Sequence, residues 1–144
     1  MCQRQDRKRQ LRLTRIGKAG LIMKVTGMFP TIVCRNYQDV IDFAENELGF
    51  DIVHKIHAII SDDENDHIYI MKNEEGIRFD IVQFDVDKPF NSLCMNVDDF
   101  DEAKELLEKR GWHIFKGPEI SNNSKKALLK SCEGLLILLI QHYS

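Results

Sequence analysis

The strongest constraint on this chain is an internal repeat of pattern. Residues 34–50, CRNYQDVIDFAENELGF, lie over residues 97–112, VDDFDEAKELLEKRGW, which is one residue shorter. Asn36 meets Asp99, Tyr37 meets Phe100, Gly49 meets Gly111, and Phe50 meets Trp112. Each copy begins with a residue suited to a helix N-cap and ends on a glycine suited to the C-terminal turn. Between them runs one apolar stripe, Val40, Ile41, Ala44 and Leu48 in the first copy and Phe100, Ala103, Leu106 and Leu107 in the second. The first helix is predicted over Tyr37 to Leu48, and Gly111 ends the second.

Strand-like runs flank both helices. Phe29 to Cys34 precedes the first; Asp51 to Ile60, His67 to Lys72 and Ile77 to Phe84 follow it, separated by the polar segments SDDEND and NEEG. Asn91 to Val97 precedes the second helix; Trp112 to Lys116, Lys125 to Lys130 and Leu135 to Gln141 follow. The expected fold is α+β: two βαβββ modules, about 24–86 and 87–144, forming an eight-stranded open barrel. A helix covers the outside of each half, and the concave inside is the natural ligand pocket. Residues 23–144 are expected to form this one domain, since 144 residues suffice for a single core.

Charge is divided unevenly. Residues 1–22 carry seven Lys and Arg against one acid, Asp6, while the whole chain has a formal charge of −3. This basic stretch reads as a disordered or non-native extension, with a nucleic-acid arm as the competing reading. The acidic remainder argues against a broad nucleic-acid surface and favours cationic ligands. The longest apolar run, Leu135 to Ile140, is far short of the ~20 residues of a membrane helix. No membrane or secretory segment is expected. Cys2, Cys34, Cys94 and Cys132 are scattered, which reads as reduced thiols in a cytoplasmic protein.

Strand alternation gives a pocket lining. Ile77, Phe79 and Ile81 should face the helices, leaving Arg78, Asp80, Val82 and Phe84 on the concave side. Pairing Lys72 with Ile77 across the NEEG turn sets Tyr69 opposite Asp80 and His67 opposite Val82. Phe29, Thr31 and Val33 line the pocket from the first strand, Ser92, Cys94 and Asn96 from the fifth, and Leu136, Leu138 and Ile140 from the last. The expected ligand-binding residues are therefore Phe29, Thr31, His67, Tyr69, Arg78, Asp80, Ser92, Cys94, Leu136 and Leu138. Asp80 or His67 could serve as a base, although no catalytic residue is assigned.

The strand, capped helix and LGF ending of CRNYQDVIDFAENELGF, with the closing element SCEGLLILLIQ, resemble the vicinal-oxygen-chelate superfamily of glyoxalases, bleomycin-resistance proteins and extradiol dioxygenases. The resemblance covers about Lys24 to Ser144. In metal-using members it implies four converging ligands, which fall here at Phe29, Asp80, Ser92 and Leu138. Of these only Asp80 binds a metal well, and one carboxylate does not make a zinc, iron or nickel site. His54 and His57, three apart in a strand, point to opposite faces, and His113 and His142 are isolated. The acidic loop from Asp62 to Asp66 lacks the glycine and ligand spacing of a calcium loop.

The resemblance thus implies the metal-free branch, with no metal and no cofactor. It implies a bleomycin-resistance-like protein that binds or sequesters a small aromatic or cationic molecule, working as a homodimer. The alternatives are a divalent-metal-dependent lyase, isomerase or dioxygenase of the same superfamily, and a regulatory module that responds to a small molecule.

Overall fold

A computed structural model describes residues 23–143; the basic stretch at 1–22 lies outside the described residues. Ten elements follow one another: β1 (Val25–Cys34), α1 (Tyr37–Asn46), β2 (Asp51–His57), β3 (His67–Lys72), β4 (Arg78–Gln83), β5 (Phe90–Val97), α2 (Phe100–Lys109), β6 (His113–Ile120), β7 (Ser124–Lys130) and β8 (Leu136–His142). This is the βαβββ order twice over. The described residues divide into two compact units, Met28–Cys94 and residues 23–27 with 95–143.

In the unit Met28–Cys94 the strands lie in the order β2-β3-β4-β1. β1 runs parallel to β4, with Thr31 beside Asp80 and Val33 beside Val82. Both remaining ladders are antiparallel, and that between β2 and β3 shifts register between Ile52 and His54. Helix α1 covers one face of this sheet because Ile41 and Ala44, one turn apart, close on Cys34, Met71 and Ile81. Each large side chain buried there contributes about 1.5–3 kcal/mol. The helix stops at Asn46, short of the expected Leu48, which is left exposed. Gly49, at φ +75°, then turns the chain so that the Phe50 N–H donates to the Ala44 carbonyl.

Asn36 occupies the cap position of α1, yet its side chain makes no capping bond; its backbone carbonyl accepts from the Asp39 N–H instead. Asp99 does cap α2, accepting from the Glu102 N–H at 3.1 Å. The expected strand through Ile60 ends at His57. Ala58 to Ser61 form a buried turn, closed by the Ser61 N–H on the Ala58 carbonyl. In the acidic loop beyond it, the Ser61 hydroxyl donates to Asp66 Oδ2 at 2.6 Å.

The second unit builds on β8, β7 and β6, which neighbour one another in that order, with β8 beside β5. Its core sets Phe100, Ala103 and Leu107 of α2 against Met95, Val97, Ala127, Leu129, Ile137 and Leu139. The Phe100 N–H donates to Gln141 Oε1 at 2.8 Å, which ties the start of α2 to β8. β6 runs on to Ile120, beyond the expected Lys116, with two register shifts against β7. Cys34 and Cys94 are buried free thiols, and burial raises the Cys34 pKa. Among the described residues no helix is long and apolar enough to cross a membrane.

Candidate functional site

Strand β4 reads RFDIVQ, and α1 claims alternate members of it. Phe79 and Ile81 pack beneath the helix, so Arg78, Asp80 and Val82 turn to the other face. The parallel neighbour β1 contributes Phe29, Thr31 and Val33 to that face by its register. Asp80 is 1% exposed and Thr31 4%. A carboxylate removed from water to this degree needs a partner, and Arg78 supplies it. Its Nε donates to Oδ1 and its Nη2 to Oδ2, both at 3.0 Å, a two-pronged pairing of guanidinium and carboxylate. The Phe29 ring lies under the guanidinium, 3.8 Å from Cζ to the ring centroid. Cys94 adds a side-chain hydrogen bond to Asp80.

Opposing influences act on the Asp80 carboxyl. Burial, the largest, raises its pKa; the hydrogen bonds and charge of Arg78, and then the Cys94 bond, pull it down, and burial wins. Of the sequence-predicted site, the structure therefore brings Phe29, Thr31, Arg78, Asp80 and Cys94 together. Ser92, two residues from Cys94 in β5, shares its side of the strand and is half-buried.

His67 and Tyr69 do not join them. The β3–β4 ladder pairs Lys72 with Arg78, Ile70 with Asp80 and Tyr69 with Ile81. The expected register is one residue off, and a slip of one carries each side chain to the other face. The cause is the turn. Asn73 and Ile77 close it, the Asn73 N–H donating to the Ile77 carbonyl at 3.1 Å and the Ile77 N–H to Asn73 Oδ1 at 2.9 Å. Three residues remain in the loop, the last being Gly76 at φ +83°. Tyr69 consequently stacks on Tyr37 of α1, ring centroids 5.5 Å apart. Its hydroxyl donates to Gln83 Oε1 at 3.2 Å, and the His67 backbone N–H donates to the same oxygen at 3.3 Å. Burial first, and then the Tyr37 phenol, raise the Tyr69 pKa.

Leu136 and Leu138 belong to the second unit. Ile137 and Leu139 pack with α2, so Leu136 and Leu138 take the opposite face of β8, where Leu138 is the register partner of Leu128 on β7. The sequence reading missed Lys72 and Ile70, which the true register adds to the face of Asp80. It also missed Lys126, a lysine 6% exposed whose Nζ stands 3.4 Å from Glu119 Oε1. The alternation within KKALLK held the signal for Lys126, since Ala127 and Leu129 are the core members.

The four places at which the resemblance implies metal ligands do not suit a divalent ion. Phe29 and Leu138 carry no donor atom. Both oxygens of Asp80 are held by a guanidinium, whose positive charge opposes a second cation at the same carboxylate. Among the described residues no group of three or more His, Cys, Asp or Glu side chains is arranged to hold a metal.

No family model and no curated protein matches the chain. Solved structures do. Methylmalonyl-CoA epimerase from Mycobacterium tuberculosis is similar with a TM-score of 0.62 at 18% identity, over 85% of this chain and 91% of that one. A glyoxalase/bleomycin resistance protein/dioxygenase superfamily member from Vibrio splendidus 12B01 gives 0.56 at 13% identity, over 82% and 99%. The Mn(II)-bound glyoxalase from Novosphingobium aromaticivorans gives 0.54 at 14% identity, over 83% of this chain and 40% of that one. Identities this low speak to architecture alone. The chain has the α+β glyoxalase/bleomycin-resistance fold of the vicinal-oxygen-chelate superfamily, the one its helix and closing-strand motifs resemble.

Proposed function

We propose that this is a metal-independent small-molecule-binding protein whose ligand is held at the face of β1 and β4 opposite α1. The observation that carries the reading is the Arg78–Asp80 fork with Phe29 beneath it. A buried ion pair contributes little to stability compared with well-packed apolar residues of the same volume, so its presence on a face that no helix covers favours a role in recognition. Thr31 beside it adds a hydroxyl, and Phe29 a flat apolar surface. The catalytic alternative has less support. A general base must reach the proton that it takes, and Asp80 is 1% exposed and paired with Arg78, while His67 stands on the helix-covered face.

The test is a thermal-shift screen of small molecules on protein first dialysed against EDTA. A ligand at a hundred times its Kd adds about 2.7 kcal/mol of stability. The reading requires stabilising compounds that need no added metal and whose effect is lost in Phe29→Ala. Compounds that stabilise only after a divalent metal is restored would refute it.

The working form proposed is a homodimer. β2 lies at the outer end of its four strands with Ile52 and Val53 exposed, and β6 at the outer end of the other set exposes Phe115 and Ile120. Apolar edge strands left open invite uncontrolled pairing, and isologous association is the common way to cover them. Sedimentation equilibrium at micromolar concentration should give twice 16.8 kDa, and a clean monomer would refute the dimer.

A further inference from the structure

The Arg78–Asp80 pair leaves donors over. A guanidinium has five N–H bonds, and Asp80 takes two, one from Nε and one from Nη2. The edge formed by Nη1 and the second N–H of Nη2 is a complete fork with no acceptor among the described residues. The Phe29 ring lies against the group, 3.8 Å from Cζ to the ring centroid. The Arg78 side chain is 16% exposed, so a solute can reach it, yet it is fixed in place by the carboxylate and the ring. A cation held in this way costs little further ordering when it binds.

Lys72 stands beside it. It is the register partner of Arg78 across the β3–β4 ladder, so their Cβ atoms are about 5 Å apart on one face. Lys72 is exposed and has no ion pair among the described residues. Like charges directly opposite each other in a sheet repel. Two cations therefore face one another here; Asp80 is taken up by Arg78, and Asp51 of β2 is the register partner of Lys72 on its other side. Asp80, for its part, is 1% exposed and lies against the positive charge of Arg78, which together disfavour a cationic ligand there.

We propose that the free Nη1/Nη2 edge of Arg78, with Lys72 next to it, binds a carboxylate of the ligand. The inference rests on the reading that a small molecule binds at this face without a metal. It replaces the cationic ligand suggested by overall charge with an anionic one. The planar, two-oxygen shape of a carboxylate matches the fork in both geometry and charge.

The full chain with 15N-labelled arginine tests this by NMR of the Arg78 Nε–H resonance. The probes are sodium benzoate, benzamide, benzyltrimethylammonium chloride and inorganic phosphate, at constant ionic strength. Benzoate should shift the resonance saturably, with the other three at least about tenfold weaker. Loss of the fork can unfold the protein, so the paired variant Arg78→Gln/Asp80→Asn, which keeps a neutral hydrogen-bonded pair, is measured by calorimetry with the exposed Lys72→Gln beside it. The first should weaken benzoate by about tenfold or more and the second by a smaller factor. No saturable response of Arg78 to benzoate, equal binding of benzamide, stronger binding of phosphate or of the ammonium probe, or unchanged binding in the paired variant would each overturn the proposal. A protein that stays metal-free but prefers the ammonium probe sinks this inference alone. One that carries a stoichiometric metal sinks the reading beneath it.

Discussion

Replacing Arg78 with methionine keeps much of the length of the side chain and removes the charge that holds Asp80. Breaking a buried pair by deleting one partner costs about 3–5 kcal/mol, because the charge left behind has neither water nor counter-charge. Asp80 is 1% exposed, which argues for the upper part of that range; Arg78 at 16% and the remaining Cys94 bond argue for the lower. A loss of about 3 kcal/mol is expected at neutral pH, a fall in Tm of about 12 °C for a domain of this size. The pH dependence has a definite sign. The folded Asp80 pKa already lies above its ordinary 3.8, and without Arg78 it rises further. The folded state then holds a proton that the unfolded state has released, so stability is lost as pH climbs from 3.8 through the raised folded value. The substitution should therefore be mild near pH 3.8 and grow costlier towards neutrality. Urea denaturation across that range measures it. The double variant Arg78→Met/Asp80→Leu should recover most of the loss, since apolar replacement of a buried pair is often neutral or stabilising. A loss below about 1 kcal/mol, or one that does not change with pH, would refute the assignment of Asp80 as a buried anion held by Arg78.

Asp99→Ala should cost about 1 kcal/mol through loss of the α2 cap, whereas Asn36→Ala should cost much less, because the Asn36 side chain makes no capping bond; equal losses in chemical denaturation would contradict the cap assignments. Gly76→Ala should lose about 1–2 kcal/mol although a Cβ there meets nothing within 4 Å, because φ is +83°; an unchanged denaturation midpoint would show that the hairpin does not hold Gly76 in the left-handed region.

The order of elements was legible because both helices carry stripes at helical spacing and the strands around them alternate or are β-branched. Which residues of β4 and β5 turn away from the helices was legible for the same reason: once Ile81 and Val97 are given to the helix-covered faces, the parity of Asp80 and Cys94 follows. His67 and Tyr69 were misplaced because parity in β3 hangs on one loop length. A four-residue NEEG turn and the observed three-residue loop closed by Asn73 and Ile77 differ by a single residue, which reverses the strand's faces. Composition alone cannot separate the two, although Gly76 as the last loop residue, where a left-handed φ is needed, was the available clue. The fork itself was half legible: Arg78 and Asp80, two apart in a strand, share a face, but the depth at which Asp80 is buried depends on long-range packing. Lys72 followed from the register and was lost with it. The cap at Asn36 failed for a local reason, since its backbone sits at φ −87° and ψ 48°, outside the extended geometry that aims a capping side chain at the first turn.

The central claim is that Asp80 serves an arginine and not a metal ion. Calorimetric titration of EDTA-treated protein with Zn2+, Mn2+, Co2+ and Ni2+, each alongside Asp80→Asn, tests it most directly. The account predicts no saturable one-to-one binding that depends on Asp80. One equivalent of any of these ions, bound by the native chain and lost in Asp80→Asn, would contradict it.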